Sequence, residues 1–180
     1  MNILHLAFQV GLSKKLKRTG WVKRRVKNPE SVAEHCFRVA VLCMALAPTL
    51  EVNKEKLTKM AIIHDLGETA TGDIVVESWK TIYFKKRKKK EKIEKEAIRQ
   101  ILYGYGEDFS KLFQEMMARK SKEALTFWEI DLLERTIQAY EYEKEQGIDM
   151  TEFFISADYH IKHPLLKRVL KDLEKMRSKP

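Results

Sequence analysis

The 180-residue sequence predicts an all-α protein, and three observations carry that prediction. Apolar residues recur at three- and four-residue spacing in nearly every long segment, no stretch alternates with period two, and capping residues stand where the periodic stretches begin. A chain of this length fits one domain, residues 1–180, and buries roughly 70% of the surface its unfolded form exposes. Its core is expected over about 16–145, with a C-terminal helix over about 164–177 packed on it.

The first helix is predicted from about Asn2 to Lys17, with Ile3, Leu6, Ala7 and Val10 on one face. A loop from Thr19-Gly20-Trp21 to Asn28-Pro29 follows. Ser31 and Glu34 have capping-box spacing, so a helix starts there and stops before Pro48. Asn53 caps the next, which carries Leu57, Met60, Ala61 and His64 along one stripe and ends near Gly67. Thr69 to Lys80, with Thr71-Gly72-Asp73, reads as a loop or short irregular helix. Further helices are expected from about Lys88 to Tyr103, before Gly104 and Gly106, from Phe109 to Met117, and from Lys122 to Gln146 with Gly147 as the stop. His163-Pro164 opens the last one.

Composition excludes several classes of function. With 44% hydrophobic and 34% charged residues the chain is an ordinary globular one. The longest apolar run, Val39 to Ala47, is about half of what a membrane span needs. The N-terminal lysines follow the apolar residues instead of preceding them, which is not the order of a secretory signal, so a cytoplasmic location is expected. Cys36 and Cys43 lie seven positions apart on one expected helix, a rise of about 10.5 Å, too far for a disulfide. They are read as buried thiols of a reducing compartment.

The net charge of +9 invites a nucleic-acid partner, but Lys85 to Lys92 holds seven positive residues and one negative. Without that +6 only +3 remains. A solvated helix start explains the run, and a rim that attracts phosphate is the sharper alternative. A basic helical nucleic-acid-binding protein is the reading from a different class. It is weakened because no aromatic residue is interleaved with those lysines.

The chemistry centres on Ile62-Ile63-His64-Asp65-Leu66-Gly67-Glu68, where two metal-competent side chains adjoin at a helix end. An imidazole and a carboxylate form a mixed nitrogen and oxygen set that suits Mn, Fe, Co or Ni better than Ca or a structural Zn. His35 lies on the inward stripe Val32, His35, Cys36, Val39, and the 29 residues to His64 allow an antiparallel return that brings the two imidazoles together. Asp131 stands among apolar neighbours in the long late helix, where burying an unpaired carboxylate would be costly and a cation would remove the cost. Glu129 and Glu134 are close enough in sequence to serve instead. Glu68, four residues beyond His64, stands over the metal face if the helix continues, placed to move a proton. His5, His160 and His163 have no ligand-spaced partners and read as structural or surface residues.

His35, then His64-Asp65, then Asp131 resembles the pattern of HD-domain phosphohydrolases. Asn28-Pro29-Glu30-Ser31-Val32-Ala33-Glu34-His35, His64-Asp65-Leu66-Gly67-Glu68, Thr71-Gly72-Asp73 and Ile137-Gln138-Ala139-Tyr140-Glu141 look like the 5′-deoxynucleotidase branch of that superfamily. The likeness extends from about Leu16 to Glu143. It implies a helical bundle, a homodimer, one divalent metal ion per site, and hydrolysis of deoxyribonucleoside 5′-monophosphates to deoxynucleoside and phosphate. By the same resemblance Asp131 is the fourth ligand, Glu68 and Asp73 match catalytic acids, and Trp21 matches an aromatic residue set against the sugar. Some members place an arginine directly before that tryptophan to hold the phosphate; Gly20 stands there in this chain, leaving Arg18, Lys23 or Arg24 for the task. A related enzyme acting on a nucleoside triphosphate, a guanosine polyphosphate or a cyclic nucleotide is the alternative within the superfamily.

Overall fold

The computed structural model describes residues 2–73, 81–105 and 109–178, with side chains outside the description over 81–89 as well. Ten α-helices are present among the described residues: α1 Ile3–Leu12, α2 Thr19–Lys23, α3 Val32–Leu46, α4 Lys54–Ile63, α5 Glu68–Thr71, α6 Thr81–Ile101, α7 Phe109–Ala118, α8 Lys122–Gln146, α9 Thr151–His160 and α10 Pro164–Arg177. No strand occurs among them, only an isolated antiparallel bridge between Lys17 and Ser31. The all-α expectation is met.

Local chemistry explains most boundaries. The Ser31 hydroxyl accepts from the Glu34 backbone N–H while the Glu34 carboxylate accepts from the Ser31 N–H, the reciprocal box that starts α3. Asn53 caps α4, Ser121 caps α8 and His163 caps α10, each through its side chain. Gly147 ends α8 at φ 66°, in the left-handed region that a side chain disfavours.

Four elements differ from the sequence reading. Helix α1 stops at Leu12 instead of near Lys17, because the following chain turns to bond with the segment before α3: Arg18 N–H reaches Glu30 O at 3.1 Å and Val32 N–H reaches Leu16 O at 2.8 Å. Residues 19–23, expected in a loop, form α2, whose first N–H is satisfied by Asp73, 54 positions away. Helix α9 was not expected; it follows a local turn in which Asp149 accepts from the Thr151 N–H and hydroxyl. Helix α6 begins at Thr81, earlier than the expected Lys88, while Gly106 and the end of the expected 69–80 loop lie outside the described residues.

The bundle is organised around α8, which packs against α3, α4, α7, α9 and α10. Its inward stripe of Ala124, Phe127, Ile130 and Leu133 meets Val39 and Cys43 of α3 and Leu57, Met60 and Ala61 of α4 in one continuous core. Each large apolar side chain removed from water there contributes about 1.5–3 kcal/mol. A smaller cluster of Trp21, Val26, Ala139, Tyr142 and Met150 locks α2 onto α8. Gly67 joins α4 to α5 for a steric reason and not as a left-handed stop: a Cβ there would lie 2.6 Å from the Glu94 Cβ, so α6 crosses directly over the turn that carries the His-Asp pair.

Candidate metal and phosphate site

Helices α3, α4 and α8 bring four side chains to one point. His35 comes from the second turn of α3, His64 caps the C-terminal end of α4, Asp65 follows it in the turn, and Asp131 lies at mid-length on α8. The two Nε2 atoms face each other at 3.2 Å. Asp131 Oδ1 is 3.1 Å from His35 Nε2 and 3.6 Å from His64 Nε2, while Asp65 Oδ2 is 3.2 Å from His64 Nε2 and 4.0 Å from His35 Nε2. Both histidines and Asp131 are buried, and Asp65 is half-buried.

These spacings suit a common cation. Nitrogen and oxygen ligands about 2.0–2.2 Å from one ion lie roughly 3 to 4.3 Å apart, the range these five separations occupy. Two imidazole nitrogens at 3.2 Å with carboxylates on either side have too few protons to satisfy one another, and the cluster stabilises positive charge. Burial pushes His64 down, but Asp65 and Cys36 outweigh it and raise its pKa well above the ordinary value. Asp131, pushed up by burial, is held at about 2 by His35 and His64. A site that draws a proton onto a buried imidazole draws a metal ion too, and the donor set is the mixed one expected from sequence.

Backbone and side-chain partners behind the ligands fix which nitrogen is free. His64 Nδ1 lies 2.7 Å from Ala61 O, a carbonyl that can only accept, so Nδ1 carries the proton and Nε2 offers its lone pair. His35 Nδ1 lies 2.6 Å from Glu134 Oε2. Glu134 is fully buried, and although burial raises its pKa, hydrogen bonds and charge from His35 and Arg38 hold it below the usual carboxylate range. It too can only accept.

The other predicted residues are distributed unequally. Arg18 reaches the cluster: its Nη1 donates to Asp65 Oδ2 at 2.5 Å, and it lies within electrostatic reach of Asp73, Asp131 and Glu68. Lys23 is exposed on α2, and Arg24 bonds Gly20 O and Glu152, away from the ligand atoms. Asp73 accepts from the Thr19 N–H at 2.6 Å and its backbone carbonyl accepts from the Thr19 hydroxyl at 2.5 Å, so it holds the start of α2 beside Arg18. Trp21 is not brought to the ligand atoms. It is 2% exposed, packs on Tyr142 and Phe153, and donates its indole N–H to Glu30 at 2.9 Å. Glu30 has a carboxylate oxygen within 4.8 Å of a ring nitrogen of His35 and of a Glu134 oxygen, so Trp21 supports the cluster through Glu30.

Glu68 is buried on α5 and accepts from Lys90 Nζ at 2.8 Å, while its second oxygen, Oε2, has no partner among the described residues. Burial, with the nearby charges of Asp65 and Asp73, raises its pKa to about 9 despite Lys90 and Arg18. Lys90 also bridges to Glu94 at 3.1 Å. One member of the basic run is thus turned to the site; the side chains of Lys85 to Lys89 lie outside the described residues. The two carboxylates left open as rivals of Asp131 have other work: Glu129 accepts from the backbone N–H groups of Lys162 and His163 ahead of α10, and Glu134 bonds the far side of His35.

What the sequence reading missed is this supporting layer. Arg38 donates from Nε to Glu134 Oε1 at 2.7 Å, from Nη1 to both Glu141 oxygens, and from Nη2 to Gln138 at 2.6 Å. The signal was available: Arg38 lies one turn beyond His35, and Glu134, Gln138 and Glu141 recur at helical spacing on α8.

A family model described as HD domain matches residues 10–174. A Dictyostelium discoideum protein named 5′-deoxynucleotidase HDDC2 is 38% identical, over 98% of this chain and 99% of its own length. The Danio rerio protein of that name is 34% identical, over 99% of this chain and 89% of its own. Among solved structures, a conserved hypothetical protein from Pyrococcus furiosus superposes with a TM-score of 0.79 at 30% identity, covering 96% of this chain and 99% of that one. A predicted metal-dependent phosphohydrolase from Magnetospirillum magnetotacticum shares the fold, with a TM-score of 0.68 at 20% identity over 97% and 92% of the two chains.

Proposed function

This chain belongs to the HD domain family, and from that premise we propose that it is a divalent-metal-dependent 5′-deoxynucleotidase, which hydrolyses deoxyribonucleoside 5′-monophosphates to deoxynucleoside and phosphate. The observation that carries the reading is the meeting of His35, His64, Asp65 and Asp131 with every measured ligand separation between 3.1 and 4.0 Å. Relatives bearing the 5′-deoxynucleotidase name over nearly the whole chain support the choice of reaction.

A cation held there, with Mn, Co, Fe or Ni favoured by the donor set, supplies Lewis-acid charge for the phosphoryl oxygens and lowers the pKa of a water. Arg18 contributes a guanidinium at the same point, able to grip the phosphate by paired hydrogen bonds. Asp73 keeps Arg18 there by holding the backbone of Thr19. Glu68 retains a proton near neutral pH because its environment disfavours the charged form, so it is suited to protonate the departing 5′ oxygen.

The reading includes a homodimer. Leu4 and Phe8 on α1, which buries no residue of its own, and Phe37, Val41 and Met44 on one face of α3, are exposed apolar side chains that a second copy would cover. It also includes a cytoplasmic location, which suits the two unpaired cysteines of α3. No described helix is long and apolar enough to cross a membrane.

Phosphate release from nucleoside mono-, di- and triphosphates, deoxy and ribo, tests the substrate. Deoxymonophosphates are expected to turn over fastest, with activity lost in chelator and restored by Mn or Co better than by Ca. A preference for triphosphates, or full rates in excess chelator, rejects the proposal.

A further inference from the structure

Two donors share one buried carboxylate beside the cluster, each with its own oxygen. Glu134 Oε2 faces His35 Nδ1 at 2.6 Å, and Glu134 Oε1 faces Arg38 Nε at 2.7 Å. Glu134 is fully buried, while Arg38 is 30% exposed in its side chain and anchored by Gln138 and Glu141. We propose that Glu134, clamped by Arg38, is a positioning residue that fixes the tautomer and aim of His35 and thereby sets the affinity of the cluster for its metal ion. This rests on the metal reading above.

The tautomer argument is chemical. A carboxylate has no proton to give, so an ionised Glu134 forces the His35 proton onto Nδ1 and leaves the Nε2 lone pair facing His64, Asp65 and Asp131. A glutamine has only one oxygen for the two donors. Arg38 cannot accept a hydrogen bond, so its Nε–H claims that oxygen and turns the amide NH2 toward His35 Nδ1. The imidazole then lowers its energy by accepting at Nδ1, which moves its proton to Nε2, where it blocks the metal. Supporting partners of this kind change metal affinity by about 10–100-fold when removed.

The arrangement allows a rescue that a packing role would not produce. Glu134→Gln is expected to raise the dissociation constant for Co or Mn, measured by titration calorimetry on the metal-free chain, by about 10–100-fold. Adding Arg38→Met removes the rival donor, lets the single amide oxygen turn to His35 Nδ1, and is expected to bring the affinity back toward wild type. Equal affinities in Glu134→Gln and wild type, or a double variant weaker than the single one, would each overturn the inference. Wild-type protein that binds no ion overturns the metal reading itself, which separates the two failures.

Discussion

Replacing Glu68 by glutamine is expected to make the metal-free protein more stable and the enzyme nearly inactive. Glu68 is 3% exposed and has one oxygen without a partner among the described residues. Its pKa is raised from 4.5 to about 9, first by burial and then by the charges of Asp65 and Asp73. An acid raised in the folded state must take up a proton to fold wherever the unfolded chain is ionised. The penalty is therefore absent below 4.5, grows with pH, and levels off near 9. Each pH unit in that window weighs about 1.4 kcal/mol, giving on the order of 3 kcal/mol at pH 7. Glutamine keeps an oxygen for Lys90 and has no charge to desolvate. Urea unfolding of both chains at pH 5, 7 and 9 should show Glu68→Gln more stable by an amount that widens from pH 5 to pH 9. Its turnover with metal restored should fall about 10²–10⁴-fold, as for a lost general acid. A stability gap of zero at pH 7, or one independent of pH, refutes the reasoning.

Asp131 shifts in the opposite direction. Its folded-state pKa of about 2, against 3.8, stabilises the metal-free protein above 3.8 and ceases to do so as pH falls through 2, so Asp131→Asn should flatten the acid limb of a Tm-against-pH curve. Arg18→Ala should leave metal content intact and lower kcat/KM about 10–100-fold, from the roughly 1.5–3 kcal/mol of a charged hydrogen bond; an unchanged value removes Arg18 from the phosphate. Trp21→Ala should destabilise the fold by about 3–5 kcal/mol in urea unfolding, as expected for emptying a buried aromatic position. If its stability is unchanged and only the ratio of deoxy- to ribonucleotide rates moves, Trp21 meets the sugar as the resemblance implies and is not a packing residue.

The cluster of His35, His64, Asp65 and Asp131 was legible because its signals are local. His64 and Asp65 adjoin at a helix end, His35 falls on an inward stripe, and Asp131 stands alone in an apolar stretch of α8. Which basic residue reaches the cluster was not legible in the same way. Arg18, Lys23 and Arg24 are equivalent as residues, and only the pairing of residues 16–18 with 30–32, which ends α1 early, carries Arg18 to Asp65. Helix α2 shows the same limit, since Asp73 satisfies its first N–H from 54 positions away.

By itself the sequence determined the helical class, most of the caps, and the residues chemically able to hold a metal ion, because side-chain period and hydrogen-bonding capacity act over one or two turns. Tertiary structure decided what each polar group faces: Glu134 toward His35 and Arg38 across 99 and 96 positions, Glu68 toward Lys90, and Trp21 toward Glu30. Those pairings set tautomer, charge state and aim, and they depend on how helices cross. Helix crossing is settled by packing of the whole core, which no short stretch of sequence contains.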